Sequence, residues 1–408
     1  MPKLSQRAER MPASPIRKLV PYAVQARDRG IKIYSLNIGQ PDIETPQVGL
    51  DALKHIDRKV LEYSPSDGLP SYRNKLVGYY ARFGIDLSPE NIIVTTGGSE
   101  ALQLAFPSCI NPGDEIIMTE PTYANYISFA MQAVLYFFSA KHLKVRPIKT
   151  DIRNGYALPS VEDFEALIDE RTKAILICNP NNPTGYVYTK EEMMRIRDIV
   201  KKYDLFLFSD EVYREFHYTD EPYVSALHLE GIEENVVLID SVSKRYSECG
   251  IRIGAVITRN MQLRNAMMKF AQARLSPPLL GQIVAEASLD APKSYMEGIY
   301  EEYIERRNLL VNGLNKIPGV YSPMPNGAFY TMARLPIDDC DRFCEWLLRD
   351  FSYEGETVMF APGSGFYTNP EDGRDQVRMA YVLKKEDLAR SLVILEKALE
   401  AYPGRTER

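Results

Sequence analysis

Short apolar runs recur through the middle of the chain, and turn residues or helical patterns follow most of them. The runs lie at 91–96, 115–120, 173–179, 205–210, 235–240 and 252–258. Because they are apolar on both faces, they are typical of strands buried in a sheet that has helices on both sides. Lys190–Tyr203 has helical periodicity between two of these runs. The alternation predicts an α/β fold with a mostly parallel sheet, in a large domain at 48–290.

The pattern of elements changes after the large domain. Helices are predicted at 293–314, 343–351 and 385–402, with a short strand at 377–382. The N-terminal segment 1–47 is rich in proline and turn residues. We expect this segment to join 291–408 in a smaller α+β domain.

Composition narrows the class of protein. With 45% hydrophobic and 25% charged residues, the chain resembles an ordinary soluble globular protein. Its net charge of −6 argues against the basic surface that nucleic-acid binding requires, and no apolar run approaches the roughly 18 residues of a membrane span. We therefore expect a cytoplasmic protein with no nucleic-acid or membrane partner. The five cysteines predict reduced thiols and no metal site, because they form no zinc-binding pattern.

Polar residues follow several of the predicted strands. In a parallel sheet, ligands bind beyond the carboxyl ends of the strands, so these residues are expected to share one site. After the first run, two glycines open a helix. Its first amides predict an anion site at Gly98, Ser99 and Glu100. The alternative is an ordinary loop with Ser99 as the helix cap.

The later strand ends carry a carboxylate, two hydroxyls, an amide, an amine and a guanidinium: Asn182, Asp210, Tyr213, Ser241, Lys244 and Arg252. Each has an ordinary alternative on its own. Asn182 lies in a rigid Asn–Pro turn, Asp210 is a possible helix cap, and Lys244 is a possible solvated loop residue. Their convergence at one edge of the sheet favours a functional site.

These side chains match the functional groups of pyridoxal 5'-phosphate. The phosphate needs the helix amides with Ser241 and Arg252. A protonated ring nitrogen satisfies Asp210, because a buried carboxylate needs a positive partner. The ring hydroxyl meets Asn182 and Tyr213, and the carbonyl condenses with the lysine amine. A nicotinamide cofactor fits less well because no G-x-G-x-x-G follows an early strand, and a P-loop is absent.

Five motifs occur together over nearly the whole chain: NPNNPTG, SDEVY, SVSK followed by Arg252, APGSGF and VRMAYV. In this order and spacing, the sequence resembles the class I aminotransferases of fold type I, in particular those similar to aspartate aminotransferase. The resemblance implies a fold type I transferase, pyridoxal 5'-phosphate (PLP) as cofactor and a homodimer. It also implies transfer of an amino group from an L-amino acid to a 2-oxo acid by a ping-pong mechanism. Aspartate and 2-oxoglutarate are the first substrates to expect.

The resemblance assigns roles to the cofactor residues. Lys244 is expected to carry the cofactor and to act as the general base. Asp210 is the expected partner of the ring nitrogen, and Asn182 and Tyr213 are those of the 3'-oxygen. Tyr123 is expected to stack on the ring, where many members of the subfamily have tryptophan.

The resemblance also implies substrate and subunit contacts. Arg378 in VRMAYV resembles the arginine that grips the α-carboxylate, which a planar guanidinium does better than lysine. Gly39 resembles the glycine whose backbone lies against the same carboxylate, and Asn182 is expected beside it. Tyr63 resembles the tyrosine that reaches the phosphate of the neighbouring subunit.

Alternatives remain open at this point. A PLP-dependent C–S lyase or a cyclopropane-forming synthase uses nearly the same residues, whereas a cofactor-sensing regulator needs an added DNA-binding domain. The amino donor is also open, since an aromatic, alanine or branched-chain aminotransferase is the alternative to an aspartate enzyme. Ile16, Arg17, Tyr330 and Phe366 are candidates to line the substrate pocket. For Tyr330 and Phe366, packing in the small domain is the preferred interpretation.

Overall fold

The computed structural model describes residues 2–5, 8–9, 11, 14–133 and 144–407. Its strands are β1 (Lys32–Ser35), β2 (Ile92–Thr95), β3 (Glu115–Glu120), β4 (Lys144–Lys149), β5 (Thr172–Cys178), β6 (Phe206–Asp210), β7 (Val236–Ser241), β8 (Gly254–Ile257), β9 (Tyr330–Arg334), β10 (Glu356–Met359), β11 (Ala361–Pro362) and β12 (Gln376–Ala380). Its longer helices are α1 (Val20–Asp28), α2 (Gln47–Lys54), α3 (Pro70–Ala81), α4 (Gly97–Cys109), α5 (Asn125–Ala133), α6 (Val161–Glu165), α7 (Lys190–Tyr203), α8 (Val242–Arg245), α9 (Met261–Arg274), α10 (Leu279–Ser288), α11 (Lys293–Leu314), α12 (Cys340–Arg349) and α13 (Lys385–Ala401).

A seven-stranded sheet lies at the centre, in the order β2-β8-β7-β6-β5-β3-β4. The strands β3 to β7 run parallel to one another, whereas β8 is antiparallel to both β2 and β7. All the strands predicted for the large domain are present, so the prediction of a mostly parallel α/β sheet is confirmed. The sequence pattern does not predict β4, because this edge strand is mostly half-buried or exposed and contains Pro147.

The central strands are buried on both faces because successive side chains of a strand point to opposite sides. Ile116 and Met118 pack in one hydrophobic cluster, and Ile117 between them packs in the other. Leu176 and Ile177 of β5 divide between the two clusters in the same way. Full burial of an aliphatic side chain contributes about 1.5–3 kcal/mol to the stability of the fold. Helices that pack against both apolar faces of the sheet are therefore favoured.

Helix α7 shows how local sequence sets the bounds of an element. The Thr189 hydroxyl accepts a hydrogen bond from the backbone N–H of Glu192, and the Glu192 carboxylate accepts one from the N–H of Thr189. This capping box starts the helix, and Asp204 ends it in a left-handed conformation with φ 49°. Helices α7 and α11 have the bounds that the sequence pattern predicts.

Smaller sheets lie outside the central one. Strand β1 pairs in parallel with β10, and β11, β12 and β9 form an antiparallel sheet in that order. Strand β12 is the one predicted from VRMAYV. The division into a large domain at 48–290 and a small one at 1–47 and 291–408 stays a prediction. Among the helices that the structure describes, none is long and apolar enough to cross a membrane.

Candidate active site

A cavity of about 540 Å³ lies where β5, β6 and β7 end, and Cys178, Asp210 and Ser241 from these ends line it. Most residues that the sequence analysis assigns to a site also line it: Gly39, Gly98, Ser99, Tyr123, Asn182, Asp210, Tyr213, Ser241, Lys244, Arg252 and Arg378. Ile16 and Arg17 of the N-terminal segment lie on the same wall. The structure therefore brings the strand-end residues together as the parallel topology predicts.

Lys244 lies on α8, the short helix that directly follows β7. The Ser241 side chain caps this helix by accepting a hydrogen bond from the N–H of Ser243. The amine of Lys244 donates a hydrogen bond to the carbonyl oxygen of Gly39 at 2.7 Å and lies 3.7 Å from the Cys249 sulfur. The end of β7 thus delivers Lys244 to the cavity, where its amine contacts a segment 205 residues away in sequence.

Asp210 ends β6 and is only 7% exposed. Its carboxylate accepts hydrogen bonds from the Tyr126 hydroxyl at 2.6 Å and from the N–H of Val212 at 3.3 Å. Burial raises the pKa of Asp210 to about 6, against its usual 3.8. No lysine or arginine of the described chain forms an ion pair with it. A buried carboxylate of this kind favours a cationic ligand group.

Polar side chains connect Asp210's neighbour Tyr213 to the far side of the cavity. The Asn182 amide donates to the Tyr213 hydroxyl at 3.4 Å and accepts from the Arg378 guanidinium at 3.0 Å. The Tyr213 hydroxyl lies 2.9 Å from that of Tyr330. Tyr330 packs in the hydrophobic core as expected and also lines the cavity. Both Asn–Pro bonds of this region are cis.

Arg378 projects from β12 and is 2% exposed. Its guanidinium donates to the backbone carbonyl of Asn37 and lies over the rings of Tyr330 and Phe366, at 4.6 Å and 5.0 Å from their centroids. Its Nε has no hydrogen-bond partner, and burial lowers the pKa of the guanidinium. Among the residues described, no carboxylate pairs with it. The arrangement suits a carboxylate supplied by a ligand.

The anion end of the cavity is built at the start of α4. Gly97 has φ +73°, and a β-carbon there would lie 2.4 Å from the Arg252 guanidinium. The missing side chain therefore lets this guanidinium approach the first amides of the helix, at Gly98 and Ser99. The Glu100 side chain is not on the cavity wall: it accepts from the N–H of Thr96 at 2.7 Å and forms an ion pair with a neighbouring arginine.

Glycine is required at a second position on the cavity wall. A β-carbon at Gly39 would lie 1.7 Å from the Tyr330 hydroxyl. Any side chain at this position would therefore collide with a phenol of the cavity wall. Glycine at position 39 therefore leaves room for the Tyr330 phenol beside the carbonyl oxygen that the Lys244 amine contacts.

Of the two tyrosines expected at the cofactor, Tyr123 lies on the cavity wall and Tyr63 does not. Tyr123 lines the cavity, where its ring packs edge-on against Tyr126 at 5.2 Å, and burial raises its pKa to about 12. Tyr63 is 78% exposed and is not part of the cavity wall. Its expected role in a neighbouring subunit stays a prediction.

Several cavity residues are not among those expected from the sequence: Asn37, Tyr126, Ser243 and Cys249. Ser243 belongs to the SVSK motif, and Cys249 follows Lys244 by five residues, so closeness in sequence to the lysine was a signal for both. Tyr126 contacts Asp210 from 84 residues away, and no local pattern marks such a contact. In the sequence, Tyr126 occupies what reads as an ordinary apolar position of a helix.

Comparisons with known proteins agree with this geometry. Residues 31–392 match the model of the family described as aminotransferase class I and II. An aspartate aminotransferase of Pyrococcus horikoshii is 32% identical, with 97% of each chain covered. The structure resembles an aspartate aminotransferase of Thermotoga maritima with a TM-score of 0.87 at 29% identity, covering 98% of this chain and 100% of the other. It resembles an alanine aminotransferase of Pyrococcus furiosus with the same TM-score at 30% identity and the same coverage. The chain is therefore a member of the class I and II aminotransferases.

Proposed function

We propose that this aminotransferase binds PLP in the cavity and moves the amino group of an L-amino acid to a 2-oxo acid by a ping-pong mechanism. The observation that carries the proposal is the buried Asp210 carboxylate. It shares the cavity with the Lys244 amine, and no lysine or arginine of the described residues neutralises it. The ring of PLP offers a cation at the position where the chain leaves a charge unpaired.

The donors of the cavity fit the groups of PLP. Arg252, beside the first amides of α4, suits a phosphate because arginine and helix N-termini both bind phosphate. Ser241 lines the same end. Asn182 and Tyr213, which contact each other, suit the ring oxygen, and Asp210 suits the ring nitrogen. Each group of the ligand thus has a chemically matched side chain.

The side chains of the cavity would position the substrate and move its protons. PLP, when bound, would supply an aldehyde for the amino group and a protonated ring that draws electrons from Cα. Asp210 keeps the ring nitrogen protonated, because an ion pair favours the charged form. Arg378 holds the substrate α-carboxylate and thereby fixes the direction of the Cα–H bond. The Lys244 amine then takes the proton from Cα as the general base.

Aspartate and 2-oxoglutarate are the substrates that we propose first. Arg17 lines the cavity, and its side chain has no ion pair with another described residue. Its guanidinium is therefore available for a second carboxylate, in addition to the one at Arg378. The similarity to an alanine aminotransferase favours alanine as the main alternative donor, and Ile16 and Tyr330 on the wall would suit branched or aromatic donors.

A half-reaction screen tests both the activity and the donor. The enzyme is loaded with PLP, one amino acid is added without any oxo acid, and the absorbance of the bound cofactor is followed. We expect aspartate to convert the spectrum most efficiently and 2-oxoglutarate to restore it, with parallel initial-rate lines in the full reaction. Intersecting lines would contradict the ping-pong mechanism. Pyruvate release from a cysteine conjugate without an oxo acid would indicate a C–S lyase instead.

A homodimer and a cytoplasmic location complete the proposal. Tyr63 is 78% exposed, and the nearby Val60 and Leu61 are 70% and 60% exposed. Three large apolar side chains so close together favour contact with another subunit. All five cysteines are unpaired, which suits the reducing cytoplasm.

A further inference from the structure

A thiol lies beside the Lys244 amine on the cavity wall. The Cys249 sulfur is 3.7 Å from Lys244 Nζ, and it donates a hydrogen bond to the Ser243 carbonyl oxygen at 3.1 Å. On its other side, Lys244 Nζ donates to the Gly39 carbonyl at 2.7 Å. We propose that Cys249 is a positioning residue: its sulfur and the Gly39 carbonyl together hold the amine with its lone pair directed into the cavity.

The argument follows from the valence of nitrogen. A neutral amine has two N–H groups and one lone pair, and Lys244 has two acceptors outside the cavity centre, Gly39 and Cys249. When both N–H groups donate to these acceptors, the lone pair is the remaining direction and faces the substrate. Because the thiol proton is donated to Ser243, the sulfur lone pairs stay free for Lys244. A general base requires this orientation.

The surroundings of Cys249 fix its sulfur in place. Its carbonyl oxygen accepts a hydrogen bond from the Arg252 guanidinium at 3.0 Å, so the turn at Cys249–Ile251 is attached to the anion end of the cavity. The charged and titratable groups that share the cavity wall are Lys244, Arg252, Asp210, Arg378, Arg17, Tyr123, Tyr126, Tyr213, Tyr330 and Cys178. Glu248 precedes Cys249 but accepts a hydrogen bond from Ser288 instead.

A thiol measurement tests the same contact in the protonated form of the amine, without relying on the cofactor. The full chain without PLP is treated with iodoacetamide, and alkylation of Cys249 is followed by peptide mass spectrometry in the wild type, Lys244→Arg and Lys244→Met. A neighbouring cation lowers a thiol pKa. The thiolate is the form that iodoacetamide alkylates, so a cation in contact with the sulfur should raise the alkylation rate about threefold.

We therefore expect alkylation of Cys249 to be about threefold slower in Lys244→Met than in the wild type, and fast in Lys244→Arg, which keeps a cation. Equal rates in all three chains would overturn the proposal. Cys178 serves as an internal reference for opening of the cavity, because it is 3% exposed and donates to the Pro180 carbonyl.

Kinetics of the PLP-loaded enzyme test the consequence. Loss of one hydrogen-bond partner should lower kcat of Cys249→Ala about threefold with KM unchanged, and Cys249→Ser should restore kcat because the hydroxyl also accepts. Cys109→Ser, at the end of α4 and outside the cavity wall, is the control with unchanged kcat. Unchanged kcat in Cys249→Ala, or equal losses in both Cys249 variants, would overturn the proposal.

This inference rests on the proposed role of Lys244 as general base. The two are separable, because failure of the proposed function would leave the PLP spectrum unresponsive to every amino acid while the alkylation rates still report the contact between amine and thiol.

Discussion

The buried Asp210 carboxylate should destabilise the chain without PLP in a pH-dependent way. Its pKa is raised from 3.8 to about 6 by burial, so the folded chain binds this proton more tightly than the unfolded chain. The free energy of unfolding therefore falls as pH rises from about 4 to about 6, by about 3 kcal/mol in total.

Asp210→Asn removes this cost. We expect urea unfolding at pH 8 to show the variant about 3 kcal/mol more stable than the wild type without PLP, and the difference to vanish below pH 4. Asp57→Asn, at an exposed site, should show no such dependence. A difference that is the same at both pH values would contradict the assignment to this carboxylate.

A second prediction for a single residue concerns the binding of the substrate carboxylate by Arg378. Arg378→Lys keeps the charge but loses the planar fork, so one charge-assisted hydrogen bond to the substrate is lost. We expect kcat/KM for the amino-acid half-reaction to fall roughly 10- to 100-fold, while the absorbance of bound PLP is unchanged. Arg342→Lys, at a mostly exposed arginine, is the matched control. A comparable loss of PLP affinity in Arg378→Lys would place this residue at the cofactor instead.

The residues at strand ends were predictable because their position in the sequence fixes their position in a parallel sheet. Asp210 and Ser241 are the last residues of their strands, and Lys244 follows within one helical turn. Tyr126 and Tyr330 were not predictable in this way, since they reach the cavity from a helix and from another sheet. Their packing partners depend on tertiary structure, which leaves no mark on the local pattern.

The start of α4 gives a prediction at the scale of an element. A β-carbon at Gly97 would meet the Arg252 guanidinium at 2.4 Å, in a backbone conformation with φ +73°. Gly97→Ala should therefore displace Arg252 from the helix amides and lower the affinity for PLP about tenfold, through loss of a charge-assisted contact to the phosphate.

The phosphate itself provides the control for Gly97→Ala. Affinity for pyridoxal, which has no phosphate, should change little. Gly155→Ala introduces a β-carbon at φ +70° with open space around it, so it has a similar backbone cost of about 1 kcal/mol and should leave PLP affinity unchanged. If both variants lose the same affinity, the cause is backbone strain and not the guanidinium.

Elements with strong internal signals agree with the sequence pattern, and those without do not. Helix α7 has a capping box and a left-handed end, and its predicted bounds are confirmed. Strand β4 is mostly half-buried or exposed at the sheet edge. An edge strand needs neither alternating apolar and polar residues nor a continuous apolar run, so its sequence carries no clear strand pattern. The antiparallel direction of β8 depends on how the chain returns to the sheet, and its apolar run is the same in either direction.

At the scale of the whole molecule, the proposed homodimer would bring a neighbouring subunit to the active site. The cavity wall contains residues from 14 to 378 of one chain but not Tyr63, which is 78% exposed. If Tyr63 reaches the phosphate of the partner, each active site combines Lys244 of one chain with Tyr63 of the other. The symmetry of a homodimer then gives two such sites.

Hybrid dimers test this arrangement. We expect Lys244→Ala and Tyr63→Ala chains to be inactive or weak alone. After unfolding and refolding as an equal mixture, half of the dimers should contain one chain of each kind. Such a hybrid has one site with both Lys244 and a wild-type Tyr63 from the partner, so about a quarter of the wild-type activity should return. Refolding each variant separately and mixing afterwards is the control and should restore nothing. If Tyr63 serves its own subunit, every site of the hybrid lacks one of the two residues, and the mixture should show no recovery beyond the two parents.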